Sequence, residues 1–158
     1  MAVTKTNALR ILDSAGIIYK TYTYECKNGP VDGVTVANQI GMQTKYVYKT
    51  LVTRGASKEF YVFVVPVESE LNLKSAAKAV GEKSIEMIRV DEINKITGYV
   101  RGGCSPVGMK KAYKTVFDES CSELEYMIVS AGKIGLQMQV DPKQLTELVG
   151  AKLAQVTD

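Results

Sequence analysis

Two glycine-rich stretches, Arg101-Gly102-Gly103-Cys104-Ser105-Pro106-Val107-Gly108 and Ser130-Ala131-Gly132-Lys133-Ile134-Gly135, stand out in a chain of 158 residues that contains no histidine. Glycine lets the backbone turn left-handed and lets a ligand approach the main chain, so such loops offer N–H donors to an oxygen-rich substrate. The missing histidine excludes Ser-His-Asp and Cys-His catalysis, imidazole-held metals and imidazole acid–base chemistry. Any chemistry at these loops falls to backbone amides, Lys, Ser, Tyr or the substrate itself. Neither stretch has the Walker spacing or the dinucleotide fingerprint, so nucleotide hydrolysis and hydride transfer have no support. Taken singly, each loop also reads as an ordinary tight turn, with Pro fixing φ and Gly supplying the left-handed position.

A second candidate is Lys49. In the β-rich run 46–54, alternation puts Val47, Lys49 and Leu51 on one face and Tyr46, Tyr48, Thr50 and Val52 on the other. An ammonium between two aliphatics either lays its stem along apolar surface and reaches water, or waits in a pocket for an anion or carbonyl. Cys104 invites a nucleophile reading, but without an imidazole base a small pocket-lining or packing role outweighs it. Lys110, Lys111 and Lys114 follow the first loop and either steer a phosphodiester or form a solvated basic face.

The elements that must hold these residues read as alternating helices and strands with no linker or repeat, which predicts one domain over 1–158. Thr4 is an expected helix cap before Ala8, Leu9, Ile11, Leu12 and Ala15, with Gly16 as the stop. Strands are expected at 17–24, 46–54, 59–65, 113–117, 126–130, 135–140 and 152–156. Helices are expected at 34–40, from Asn72 to Val80, from Asp91 to Gly98, and from Asp141-Pro142 to Gly150. The pattern implies an α+β fold, a mixed and mostly antiparallel sheet, partly barrel-like, with peripheral helices. Twenty Lys and Arg against seventeen Asp and Glu give +3, which permits a phosphate-bearing partner without demanding one. Three cysteines without CxxC spacing suggest neither a disulfide framework nor a zinc site, so no metal or other cofactor is expected. No apolar run approaches the ~18 residues of a membrane span, and a soluble, cytoplasmic protein without a signal peptide is expected.

The order of motifs carries more. Lys5-Thr6-Asn7-Ala8, Tyr48-Lys49-Thr50-Leu51, Pro66-Val67, Thr97-Gly98-Tyr99, the Gly102–Lys111 run and Ser130–Leu136 follow one another as in the YbaK/ProX family, which this chain resembles over essentially its whole length. That family comprises aminoacyl-tRNA editing deacylases, so the resemblance implies a trans-editing hydrolase, with Cys-tRNA(Pro) as the expected substrate. Alternatives are Ala-tRNA(Pro) editing and a non-catalytic module that binds the tRNA acceptor end. Prolyl-tRNA synthetase is an expected companion. The resemblance assigns catalysis to Lys49, Gly103 and Ser130. Substrate contacts fall to Tyr24, Thr50, Gly102, Cys104, Ser105, Pro106, Gly132 and Lys133, with Lys49 and Thr50 at the terminal adenosine or its phosphate. Asp32 stands where relatives often carry a pocket phenylalanine, and Gln137 where some carry an acidic residue. An aminoacyl ester is already activated, so a histidine-free site suffices if it positions the ester and stabilises an oxyanion. In the family's mechanism the cysteinyl thiol attacks its own carbonyl.

Overall fold

Thr6, rather than Thr4, caps the first helix. The structure, a computed structural model, describes residues 5–158, so Thr4 lies outside the described residues. The Thr6 side-chain oxygen accepts from the Leu9 N–H at 3.2 Å and starts α1 (Asn7–Ser14), which buries Ala8, Leu9 and Leu12. The other caps follow the same logic of side-chain oxygens taking up orphan N–H groups. Asp32 caps α2 (Gly33–Gln39) and Asn72 caps α3 (Leu73–Val80), which a left-handed Gly81 ends. A 3-10 turn leads into α4 (Ile93–Thr97). Asp141, with Pro142 at the first helical position, starts α5 (Pro142–Val149).

The strands are β1 (Tyr19–Thr23), β2 (Tyr48–Gly55), β3 (Phe60–Pro66), β4 (Ile85–Met87), β5 (Lys114–Asp118), β6 (Met127–Lys133), β7 (Leu136–Val140) and β8 (Lys152–Ala154). They form two sheets, β1-β7-β6 and β4-β2-β3-β5-β8. The first sheet is antiparallel, and the second joins an antiparallel β4-β2-β3 part to parallel β3-β5-β8 pairs. The α+β class holds, whereas the barrel-like closure does not: each sheet is open. Short-range alternation sets which face a residue takes but not which strands become neighbours.

Alternation along β3 explains the layering. Val62 and Val64 enter one core with Leu9, Leu12, Phe117 and the β6 and β7 residues Met127, Val129 and Met138. Tyr61, Phe63 and Val65 enter a second core with Ala76, Ala77 and Val80 of α3. The five-stranded sheet is therefore covered by α3 on one side and by the three-stranded sheet with α1 and α5 on the other. Each fully buried large side chain here contributes about 1.5–3 kcal/mol by leaving water. No helix among the described residues is long and apolar enough to cross a membrane.

Candidate active site between the two sheets

The two sheets touch through a parallel bridge between Val47, just before β2, and Ile128 of β6. Val47 also borders a cavity beside that bridge. The cavity, of about 90 Å³ between the two sheets, is bordered by Lys49 and Thr50 from β2, Ser130 from β6, Gln137 from β7, Tyr24, and Gly102 and Cys104 of the first glycine loop. Thus six of the expected residues, Tyr24, Lys49, Thr50, Gly102, Cys104 and Ser130, come together from segments more than 100 positions apart in the chain.

Register explains why Ser130 and Gln137 face this gap. They are cross-strand partners, and their neighbours Val129, Ala131, Leu136 and Met138 point the other way into the main core. Directly after Ser130 the strand bulges, the register shifting before Lys133. Gly132 takes φ +97° there, a left-handed region that suits glycine, and a Cβ would stand 3.0 Å from the Tyr99 ring. The Ser130 hydroxyl accepts from the Gly132 N–H at 3.2 Å, which leaves its own proton free to donate. Ser130 is 8% exposed and Gln137 6%. Two oxygens bordering the cavity, Thr50 Oγ1 and Gln137 Oε1, are buried without a hydrogen-bond partner among the described residues. A buried polar atom left unpaired costs on the order of 1–3 kcal/mol, so both call for a ligand or water.

Lys49 is half-buried and, among the described residues, pairs with no carboxylate. Cys104 is 9% exposed, and burial pushes its thiol up to about 12. It is therefore an uncharged wall of the cavity at neutral pH and no nucleophile. Tyr24 ties the loops together, its N–H donating to the Gly135 carbonyl at 3.0 Å and its hydroxyl approaching the Gly102 carbonyl at 3.5 Å.

Other expected residues lie behind the cavity or at its rim. Gly103 donates its N–H to the Val100 carbonyl at 2.9 Å, and a Cβ there would stand 2.9 Å from the Ile134 backbone nitrogen. At Gly103 the two glycine loops therefore pack backbone against backbone. Ser105 is fully buried and accepts from the Val107 N–H at 3.2 Å, while Pro106 borders a separate cavity beside Ile11 and Leu148. Lys133 is exposed beyond the bulge. Asp32 turns away to cap α2, accepting from the Thr35 N–H at 2.9 Å and its hydroxyl at 2.8 Å, and these bonds hold its carboxyl below the ordinary value. Its neighbours Val31 and Gly33 line the cavity instead, together with Val36, Val47, Tyr48 and Val67, none of which stood out in sequence as a site residue. Lys110, whose ammonium meets the Lys95 carbonyl, lies with Lys111 and Lys114 outside the cavity lining.

The early motif also has a physical reason. Thr6 donates to the Ala131 carbonyl at 2.5 Å while capping α1, so one side chain fixes both the helix start and the bulge beside Ser130.

The sequence profile of the aminoacyl-tRNA editing domain matches residues 32–148, well over half of the chain. The chain belongs to the aminoacyl-tRNA editing family. An Enterococcus faecalis (strain ATCC 700802 / V583) protein, provisionally named as the Cys-tRNA(Pro)/Cys-tRNA(Cys) deacylase EbsC, is 38% identical over 153 residues, covering 97% of this chain and 93% of its own length. Two crystal structures share the fold. One, described as a candidate trans-editing enzyme for prolyl-tRNA synthetase, aligns with TM-score 0.81 at 22% identity over 98% of this chain and 99% of its own. The other, a hypothetical protein, gives 0.84 at 23% over 94% and 97%. Family membership makes this chain an enzyme of the editing class, an aminoacyl-tRNA deacylase.

Proposed function

We propose that this deacylase removes cysteine mischarged onto tRNA(Pro), in trans, by letting the substrate's own thiol attack. The carrying observation is the cavity itself: small, with Lys49 and two buried oxygens left without partners among the described residues, and with no charged nucleophile of the protein lining it. The Lys49 ammonium holds the terminal nucleotide by its phosphate or ribose oxygens. Thr50 Oγ1 and Gln137 Oε1 accept from substrate donors, the α-ammonium and the ribose 2′-hydroxyl being the donors an aminoacyl-adenosine offers. The cysteinyl sulfur bonds to its own carbonyl carbon, and the ester C–O bond breaks. The thiol proton ends on the ribose 3′-oxygen, and water later opens the thiolactone. The Ser130 hydroxyl and the loop amides of Gly102 and Cys104, which no described acceptor takes, stabilise the developing oxyanion. Such a step belongs where translation occurs, in the cytoplasm, beside the prolyl-tRNA synthetase that makes the error. Synthetases leave such errors because a small size difference is worth only about 1–3 kcal/mol.

A panel of tRNA(Pro) charged with Cys, Ala or Ser tests this. Cys-tRNA(Pro) is expected to lose its amino acid at least tens of times faster than Ser-tRNA(Pro), because a hydroxyl matches the thiol in size but is a far weaker nucleophile. Equal rates for Cys and Ser would sink the thiol mechanism. Faster release of alanine would move the substrate to Ala-tRNA(Pro), and retardation of tRNA with every ester intact would leave a binding module.

A further inference from the structure

The sheet face that carries Ser130 and Gln137 continues past the cavity into a cluster of half-buried tyrosines. On β6, Ile128 and, before the strand, Tyr126 continue the Ser130 side, while on β7 and β1 the Gln139 and Tyr22 positions continue the Gln137 side. Tyr46 stacks on Tyr126 with ring centroids 4.7 Å apart and planes 18° apart, and the Lys45 ammonium lies 5.0 Å from the Tyr46 centroid. The Tyr22 hydroxyl donates to Gln139 Oε1 at 2.7 Å. Desolvation raises the Tyr126 phenol above its ordinary value, and the Tyr46 and Tyr22 phenols add to the rise, which places all three in one cluster. The three rings are only half-buried, against Ala37, Val47, Val67 and Ile128. Val47 and Val67 are also walls of the cavity, so the cluster and the cavity share one partition. Four residues of extended chain put Tyr126 on the order of 13 Å from Ser130.

Half-exposed tyrosines beside a cation are the chemistry of single-stranded nucleic-acid binding: bases stack on rings, and the cation meets the phosphates. Lys45 and Lys20 on this side are exposed and enter no ion pair among the described residues. The acidic neighbours are Glu125, exposed, and Glu68, which accepts from the Thr44 hydroxyl at 2.8 Å. We propose that the Tyr46–Tyr126 stack with Lys45 is a second subsite, which holds the unpaired nucleotides preceding the terminal adenosine of the tRNA 3′ end. It rests on the tRNA reading of the cavity and extends it to a part of the molecule to which no role has been given.

Uncharged RNA separates this from the chemistry. The single-stranded tetranucleotide ACCA and adenosine 5′-monophosphate are titrated by calorimetry, with quenching of tyrosine emission as a second signal, direct because the chain has nine Tyr and no Trp. ACCA is expected to bind more tightly than the mononucleotide. Tyr46→Ala should weaken ACCA between about five-fold and about a hundred-fold while Tyr46→Phe, which keeps the ring, retains affinity. If Tyr46→Ala unfolds, Lys45→Ala at an exposed position reads the same subsite through a salt slope shallower by about 0.7. ACCA affinity unchanged in both variants, or equal wild-type affinity for ACCA and the mononucleotide, overturns the subsite. So does a wild-type dimer in sedimentation that Tyr46→Ala dissociates, which would give the face to a second copy. Because no ester is involved, a failed deacylation with Tyr46-dependent ACCA binding would sink the function alone, and the converse would sink the subsite alone.

Discussion

Lys49 carries a positive charge into a half-buried strand position where no carboxylate among the described residues answers it. Removing it relieves rather than harms the fold, since an unpaired ammonium costs desolvation and gains nothing until a ligand arrives. Lys49→Ala is therefore expected to lower kcat/KM about 100-fold or more with a melting temperature equal to or above that of the wild type. Intact kinetics, or a large loss of stability, would make Lys49 a snorkelling lysine. This residue was legible in sequence because its misfit between Val47 and Leu51 is a local fact. The orphaned state of Gln137 was not, because it arises only once β7 pairs with β6 and turns that side chain to the gap. Asp32 shows the same limit from the other side: the resemblance set it where relatives often carry a pocket phenylalanine, but its carboxylate caps the first turn of α2.

At the level of elements, the site depends on two glycine loops meeting backbone to backbone. A methyl group at Gly103 has no flexible side chain to push aside, only the Lys133–Ile134 backbone. Gly103→Ala is expected to destabilise by about 1–3 kcal/mol and to lower deacylation by spreading Gly102 and Cys104 from Ser130. Calorimetric melting alongside kcat measures both; an unaltered melting temperature with normal kcat would show that the loops are not in register with each other. The starts at Asn72 and Asp141 and the glycine stops at Gly81 and Gly150 were readable because each acts within one turn. The edge strand β4 was missed because Ile85–Met87 is too short to show a period, and it exists only as a partner of β2 at Thr53–Gly55. Strand order was equally hidden, which is why the sheets were expected to curl toward a barrel and instead remain open.

Across the whole molecule, protons are held by burial. Cys104, Tyr48 and Tyr99 are pushed up to about 12 and Cys121 to about 11, desolvation being the first cause in each. From the ordinary values of 9.0 for Cys and 10.0 for Tyr upward, the unfolded chain releases these protons while the folded chain keeps them. Their contribution to stability is thus full below pH 9 and is lost as pH rises toward 12. A melting temperature flat from about pH 7 to 8.5 and falling steadily above pH 9 is expected, with a shallower initial fall in Cys104→Ala. A flat profile to pH 11 would contradict the burial of these groups. The bridge between Val47 and Ile128 has a different consequence. Because Val47 and Val67 wall the cavity beside that seam, its width there follows from their bulk, whereas on the proposed reading the ester meets Ser130 and the loop amides and the terminal nucleotide meets Lys49. On that reading, clearance for the amino-acid side chain and treatment of the ester are set by separate residues. Single methyl changes at Val47 or Val67 are then expected to alter which amino acid fits while Lys49, Ser130 and the loop amides stay as they are.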